Sequence, residues 1–182
     1  MHIQPRHLRI PGKSARDERI RAWSAVLRAE DYYAAGRCRL IRSTVGGERK
    51  MLKGSCLCGA ITYESGDLIA PVVNCHCVTC RKAHGAAFSS VGRVARSEFR
   101  WTSGADKLGD FESSPGKVRH FCTACGSHLM AERVDQPAVL LRLGCLDSDP
   151  GAHPALHIWT SEGAAWYEIH DDLPQYQQGY TS

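Results

Sequence analysis

Nowhere in the 182 residues does an apolar run approach the roughly 20 residues that a membrane-spanning helix needs, so the chain is expected to stay out of the bilayer. From residue 51 onward helical periodicity is also scarce, and no internal repeat or low-complexity block interrupts the pattern. That argues against a helical bundle or a solenoid. Aromatic residues make up only 8% of the chain, and in residues 51–182 they do not cluster with basic ones. The stacking-plus-cation surface of a nucleic-acid binder is therefore missing there. The chain does not open on a secretory signal with an apolar central region, and its nine cysteines are an odd number. A disulfide framework fits poorly, and a reducing, cytoplasmic compartment is expected.

Charge is distributed unevenly. Residues 1–50 hold 12 Lys+Arg against 5 Asp+Glu, whereas residues 51–182 hold 11 against 14, so the net charge of +4 arises entirely in the first segment. That segment is arginine-biased, has almost no strand pattern and ends in the polar, turn-like Gly46-Gly47-Glu48-Arg49-Lys50. Residues 1–50 are accordingly expected to be a basic N-terminal extension, solvated or upstream of the true start. Within it, Ile20, Trp23 and Leu27 can share one face of a short helix. Residues 51–182 are long enough for one domain with a core of its own.

From Met51 the chain reads as short alternating or apolar runs bounded by Gly, Ser, Asp and Pro. Strands are expected near 60–64, 71–74, 87–91, 98–101, 117–121, 128–131 and 139–143. A mainly β domain follows, too small in apolar runs to ignore its cysteines.

Three cysteine groups punctuate these strands. Cys75, Cys77 and Cys80 fall within six residues; on an extended segment Cys75 and Cys77 point the same way, and Cys77-x-x-Cys80 has knuckle spacing. Cys56-x-Cys58-Gly59 and Cys122-x-x-Cys125-Gly126 add two pairs, each followed by the glycine a tight turn around a metal needs. Seven thiols divide most simply into one closed four-cysteine site and one three-cysteine site. An eighth ligand could come from Cys145, from His76, His84, His120 or His128, or from no protein group at all. Cys145 lies in the run 138–146 and reads as a small hydrophobe in a strand.

Taken together, Gly54-Ser55-Cys56-x-Cys58-Gly59, Cys75-His76-Cys77-x-x-Cys80-Arg81-Lys82, Phe121-Cys122-x-x-Cys125-Gly126, Gly144-x-Leu146-Asp147, His157-Ile158-Trp159, Trp166-Tyr167-Glu168-Ile169 and Asp172-Leu173-Pro174 resemble the glutathione-dependent formaldehyde-activating (GFA) or centromere protein V-like family. The likeness covers residues 51–182 and leaves residues 1–50 without a counterpart. It implies an Mss4-like folded β-sheet with two Zn2+ per chain. Cys56, Cys58, Cys122 and Cys125 would hold the structural ion, and Cys75, Cys77 and Cys80 the second, catalytic one. The implied activity is that of a carbon-sulfur lyase that condenses formaldehyde or a related aldehyde with glutathione or another small thiol.

The residues make this chemistry plausible in physical terms. A metal with an open position binds a thiol as thiolate and holds it beside an aldehyde, and orientation contributes much of the rate. Arg81 and Lys82 are placed to offset the thiolate charge and to grip a substrate carboxylate. His84 is a candidate acid or base, Asp147 a turn cap, and Trp159, Trp166 and Tyr167 are pocket walls or core aromatics. The alternative is a non-catalytic two-zinc binding module with a protein partner, which would need the second site closed. Nothing in the sequence indicates an oligomeric state.

Overall fold

A computed structural model describes residues 51–180. The expected extension, 1–50, lies outside the described residues. Ten strands follow in chain order: β1 (Leu52–Ser55), β2 (Thr62–Ser65), β3 (Val72–Cys75), β4 (Ser89–Ala95), β5 (Arg100–Ser103), β6 (Leu108–Ser114), β7 (Lys117–Cys122), β8 (His128–Arg133), β9 (Ala138–Arg142) and β10 (Pro154–Ile158). One α-helix, α1 (Val78–His84), sits between β3 and β4, and no other occurs among the described residues. The domain is mainly β, as its patterning predicts.

The strands form two sheets. A three-stranded sheet has the order β1-β2-β5, and a seven-stranded one the order β10-β3-β4-β9-β8-β7-β6. All pairs are antiparallel except β10 with β3. The middle of the large sheet is buried, which is why β9 reads Ala-Val-Leu-Leu rather than alternating. Ile61, Tyr63, Val94, Phe99, Leu129, Met130, Val139 and Leu141 make one continuous core between the sheets. Removing each such side chain from water contributes about 1.5–3 kcal/mol, and that burial holds the sheets together.

Close approach explains one glycine. Gly54 on β1 lies opposite Tyr63 on β2, and a Cβ at residue 54 would fall inside the Tyr63 ring and against the Cys145 carbonyl. The Tyr63 hydroxyl donates to that same carbonyl at 3.2 Å. The Gly-x-Leu-Asp motif serves the same junction: Asp147 N–H donates to Lys53 O at 2.8 Å, and its carboxylate accepts from Ser55 Oγ at 2.9 Å. Asp147 thus ties the loop after β9 to β1, a long-range link rather than the turn cap expected of it.

Four elements depart from the sequence reading. β1, β6 and β10 were not expected as strands; each is short or carries Gly, Asp or Pro, which weaken a propensity signal that only pairing restores. The helix α1 spans seven residues, too few to display a 3.6-residue period. Cys145 lies in a one-turn 3₁₀ helix, Leu143–Cys145, just beyond β9 rather than within a strand.

Candidate metal centres and the adjoining pocket

The first thiol group assembles from two turns. Cys56 and Cys58 follow β1, and Cys122 and Cys125 straddle the turn from β7 to β8. Gly59 (φ 72°) and Gly126 (φ 76°) take the left-handed conformation there, as their place after each pair predicts. The four sulfurs all lie within 4.8 Å of one another. Cys56 and Cys58 Sγ are 3.5 Å apart, and Cys58 and Cys122 Sγ 3.9 Å. Four thiolates at the zinc–sulfur distance on a tetrahedron are about 3.8 Å apart, so this donor set fits zinc. The Ser127 side chain and backbone hold the Cys125 thiol down to about 5.

The second group forms where β3 runs into α1. Cys75 ends β3; Cys77 is the N-cap of α1, its Sγ accepting from Cys80 N–H at 3.3 Å; Cys80 lies one turn inside. The helix therefore builds the knuckle, and only Cys75 to Cys77 is extended. Glu162 secures its start from afar, accepting from Val78 N–H at 2.8 Å, and Gly85 ends it in the left-handed conformation (φ 57°). The three sulfurs again lie within 4.8 Å of one another. Hydrogen bonds within the trio, first from Cys75 and then from Cys80, drive the Cys77 pKa far down, and the same bond to Cys77 drives that of Cys75 far up. Three soft sulfurs at this spacing suit zinc with a position left over.

No histidine and not Cys145 joins either group among the described residues. Cys145 is half-buried against the core, donating to His128 O at 3.3 Å. His120 pairs with Glu132 at 3.0 Å. His84 and His128 approach with ring centroids 5.2 Å apart. Burial, then the cations of Arg142, His128 and Arg119, push the His84 pKa down to about 3.

His76, between two ligand candidates, heads a chain that runs from two buried rings to an exposed carboxylate. The Asp171 carboxylate lies 3.1 Å from His157 Nε2, and His157 Nδ1 lies 2.7 Å from His76 Nε2. With both rings neutral, the carboxylate accepts from His157 Nε2–H, so His157 Nδ1 accepts from His76 Nε2–H. Burial, and then His157, keep the His76 pKa below its ordinary value. His76 also walls a cavity of about 450 Å³ with Thr160, Ala164, Tyr167, Ile169 and Gln175.

The aromatics divide their roles. Tyr167 lines the cavity, Trp166 is 73% exposed, and Trp159 packs on the cluster of Cys75, Cys80 and Val91. Trp159 is the one described non-glycine residue with positive φ (58°), held there by backbone bonds to Gln178 and Glu162. Arg81 and Lys82 both lie on α1, Arg81 half-buried and Lys82 exposed.

Sequence reasoning missed Arg119 and Arg142, which are only 2% and 4% exposed. Arg119 on β7 donates from Nη2 to Cys80 Sγ at 3.8 Å, and Arg142 ends β9. Arg142 had a signal, an arginine within the apolar run Val139-Leu140-Leu141-Arg142-Leu143, where a charge is costly unless something nearby needs it; Arg119, in the polar run Lys117-Val118-Arg119-His120, had none.

Two sheets whose turns carry two cysteine clusters, one of four thiols and one of three, define a mainly β protein equipped to hold metal. A family model described as glutathione-dependent formaldehyde-activating enzyme matches residues 51–162, and the chain belongs to that family. Relatives provisionally named as glutathione-dependent formaldehyde-activating enzymes include one from Halomonas elongata, 27% identical over 65% of this chain and 81% of the relative. Another, from Podospora anserina, is 39% identical over 41% of this chain and 36% of its own. A third, from Fusarium vanettenii, is 40% identical over 30% of each. The chain thus spans about a third of the two fungal relatives' lengths.

Proposed function

We propose that the protein is a zinc-dependent carbon-sulfur lyase of the S-(hydroxymethyl)glutathione synthase type, joining formaldehyde or a related aldehyde to glutathione or another small thiol. The observation that carries this reading is the inequality of the two sulfur groups: one supplies a full tetrahedral set and the other stops at three. Zinc on the second group would supply a Lewis-acidic position that takes a thiol as its thiolate. Cys56, Cys58, Cys122 and Cys125 hold the structural ion in this reading, and Cys75, Cys77 and Cys80 the catalytic one.

In the reaction the thiol sulfur bonds to the carbonyl carbon, the carbonyl π pair moves to oxygen, and the thiol proton ends on that oxygen. The chain's part is to bind and orient. The cavity walled by His76 has room for the body of a small thiol, and Tyr167 and Ile169 offer it apolar surface. Arg81 and Lys82, on the helix that carries Cys80, are assigned to a substrate carboxylate. The His76–His157–Asp171 chain fixes the ring between the two ligand candidates and keeps its orientation.

The domain is taken as residues 51–182, with 1–50 an extension; the family match beginning at residue 51 supports that division. The eight described cysteines are all free, which suits a cytoplasmic protein. No helix among the described residues is long and apolar enough to cross a membrane.

The test is magnetisation exchange by NMR between glutathione and its hydroxymethyl adduct, with protein verified to hold two zinc ions. Acceleration that disappears in Cys77→Ser is the expected result. No acceleration by the two-zinc protein would overturn glutathione and formaldehyde as its substrate pair and move the same assay to other small thiols.

A further inference from the structure

The two candidate centres differ in their surroundings as much as in their ligand number. Beside the four-thiol group the cation that acts on the sulfurs is Lys107, which is exposed and already paired with Asp106 at 3.0 Å. Beside the three-thiol group stand two buried guanidiniums. Arg119 comes from β7 and Arg142 from β9, strands separated in the sheet by β8; Arg119 Nη2 donates to Cys80 Sγ, and Arg142 lies close enough for the charge of the same sulfurs to act on it. Neither forms an ion pair with a carboxylate among the described residues.

Several of their donors remain unsatisfied. Nε and Nη1 of Arg119 and Nε and Nη2 of Arg142 are buried without a hydrogen-bond partner. Two ring nitrogens close by, His84 Nε2 and His128 Nδ1, are in the same condition. Stranding one buried polar group is costly, and stranding four guanidinium nitrogens around one spot is far more so unless negative charge accumulates there. The anions that act on Arg142 are the sulfurs of Cys80, Cys75 and Cys77.

Charge counting then separates the centres. Four thiolates on a divalent ion leave two negative charges, tolerable at a turn open to water. Three thiolates leave one, and Arg119 and Arg142, joined by half-buried Lys117, which also acts on Cys80 and Cys75, outweigh it. A neutral fourth ligand would leave that surplus in place; an anionic one reduces it.

Building on the proposed function, we infer that Arg119 and Arg142 are positioning residues that make the three-cysteine centre take its fourth ligand as an anion, a substrate thiolate rather than a neutral thiol or water. On binding, the thiol would shed its proton to solvent, its sulfur would fill the fourth position, and the positive surplus beside the sulfurs would fall by one. These arginines act on the sulfur-bearing end, whatever the rest of the thiol carries, so the preference extends to small uncharged thiols.

The test uses the full chain loaded with cobalt(II) in both centres, with 2-mercaptoethanol as the probe and no aldehyde present. Thiolate-to-cobalt charge-transfer absorption reports thiol uptake, and the spectrum of the four-cysteine centre reports folding in the same sample. Wild type should take up the thiol. Arg119→Gln and Arg142→Gln should each weaken uptake about tenfold, as expected for a lost charge-assisted contact. Both variants should lose much less cobalt affinity than thiol uptake, because three cysteines still hold the ion. Arg142→Lys, which keeps the charge, should recover most of the uptake. A purely structural role would loosen metal and thiol alike and change the four-cysteine spectrum. Undiminished thiol uptake in both glutamine variants, or cobalt affinity lost in parallel with it, would overturn this inference and leave the lyase reading in place. A wild-type centre that takes up no thiol would overturn both.

Discussion

Breaking the four-thiol group should cost more stability than breaking the three-thiol group, and the size of the gap follows from chain topology. Cys58 and Cys122 are 64 residues apart, so an ion shared between them closes a long loop. Cys75 and Cys80 lie on one short segment, where closure is nearly local. Applying the cross-link entropy relation to both gives about 4 kcal/mol for the long loop and about 2 kcal/mol for the short one. The short cluster also keeps its spacing in the unfolded chain and can bind metal there, which further reduces what it adds to the native state. The comparison is Cys58→Ser/Cys125→Ser against Cys75→Ser/Cys77→Ser. Cys58 is exposed and Cys125 half-buried, so the first pair leaves core packing nearly untouched. Urea unfolding with excess zinc, and metal content measured on each protein, should place the first variant's midpoint lower by about 1 M, given a dependence of about 1–3 kcal/mol per molar. Equal midpoints, or a lower midpoint for the second pair, would refute the assignment of the long-range link to the four-thiol group.

Three further outcomes are expected. The depressed His84 pKa means the unfolded chain binds the extra proton first: its stabilising contribution is complete above pH 6.5 and is lost as pH falls toward about 3. Because the ring is partly exposed, zinc-saturated wild type should lose about 0.7 kcal/mol per pH unit more than His84→Gln between pH 6.5 and 5, and parallel pH–stability curves would contradict this. Gly54→Ala should destabilise by about 3 kcal/mol, since the Tyr63 ring, 1% exposed and packed on Phe99, has nowhere to retreat; a Tyr63→Leu background should recover part of that loss in the same unfolding assay. Glu162→Ala removes the anchor of Val78 N–H at the start of α1 and should weaken metal affinity at the three-thiol group about tenfold, read by chelator competition, while leaving the four-thiol group unchanged.

What could be read without a structure was whatever is encoded locally. Cys75, Cys77 and Cys80 converge because they are close in the chain, and Gly59 and Gly126 turn because each follows a knuckle pair. The buried strands β3, β4 and β9 declared themselves as apolar runs. Division of seven thiols into four and three followed from counting, and the order of motifs identified the family.

The rest was decided when distant segments met. His157 and Asp171 reach His76 only because β10 pairs in parallel with β3, carrying residue 157 beside residue 74 and its neighbours. Arg119 and Arg142 stand 23 positions apart on strands that are not neighbours, and nothing in their spacing brings them to one sulfur cluster. Sequence alone picked out the candidate ligands, because each knuckle pair or trio is a short-range geometry. The charge around those ligands was settled by the sheet, because pairing across it sets which buried cations face the sulfurs, and pairing is a long-range property that residue spacing does not record.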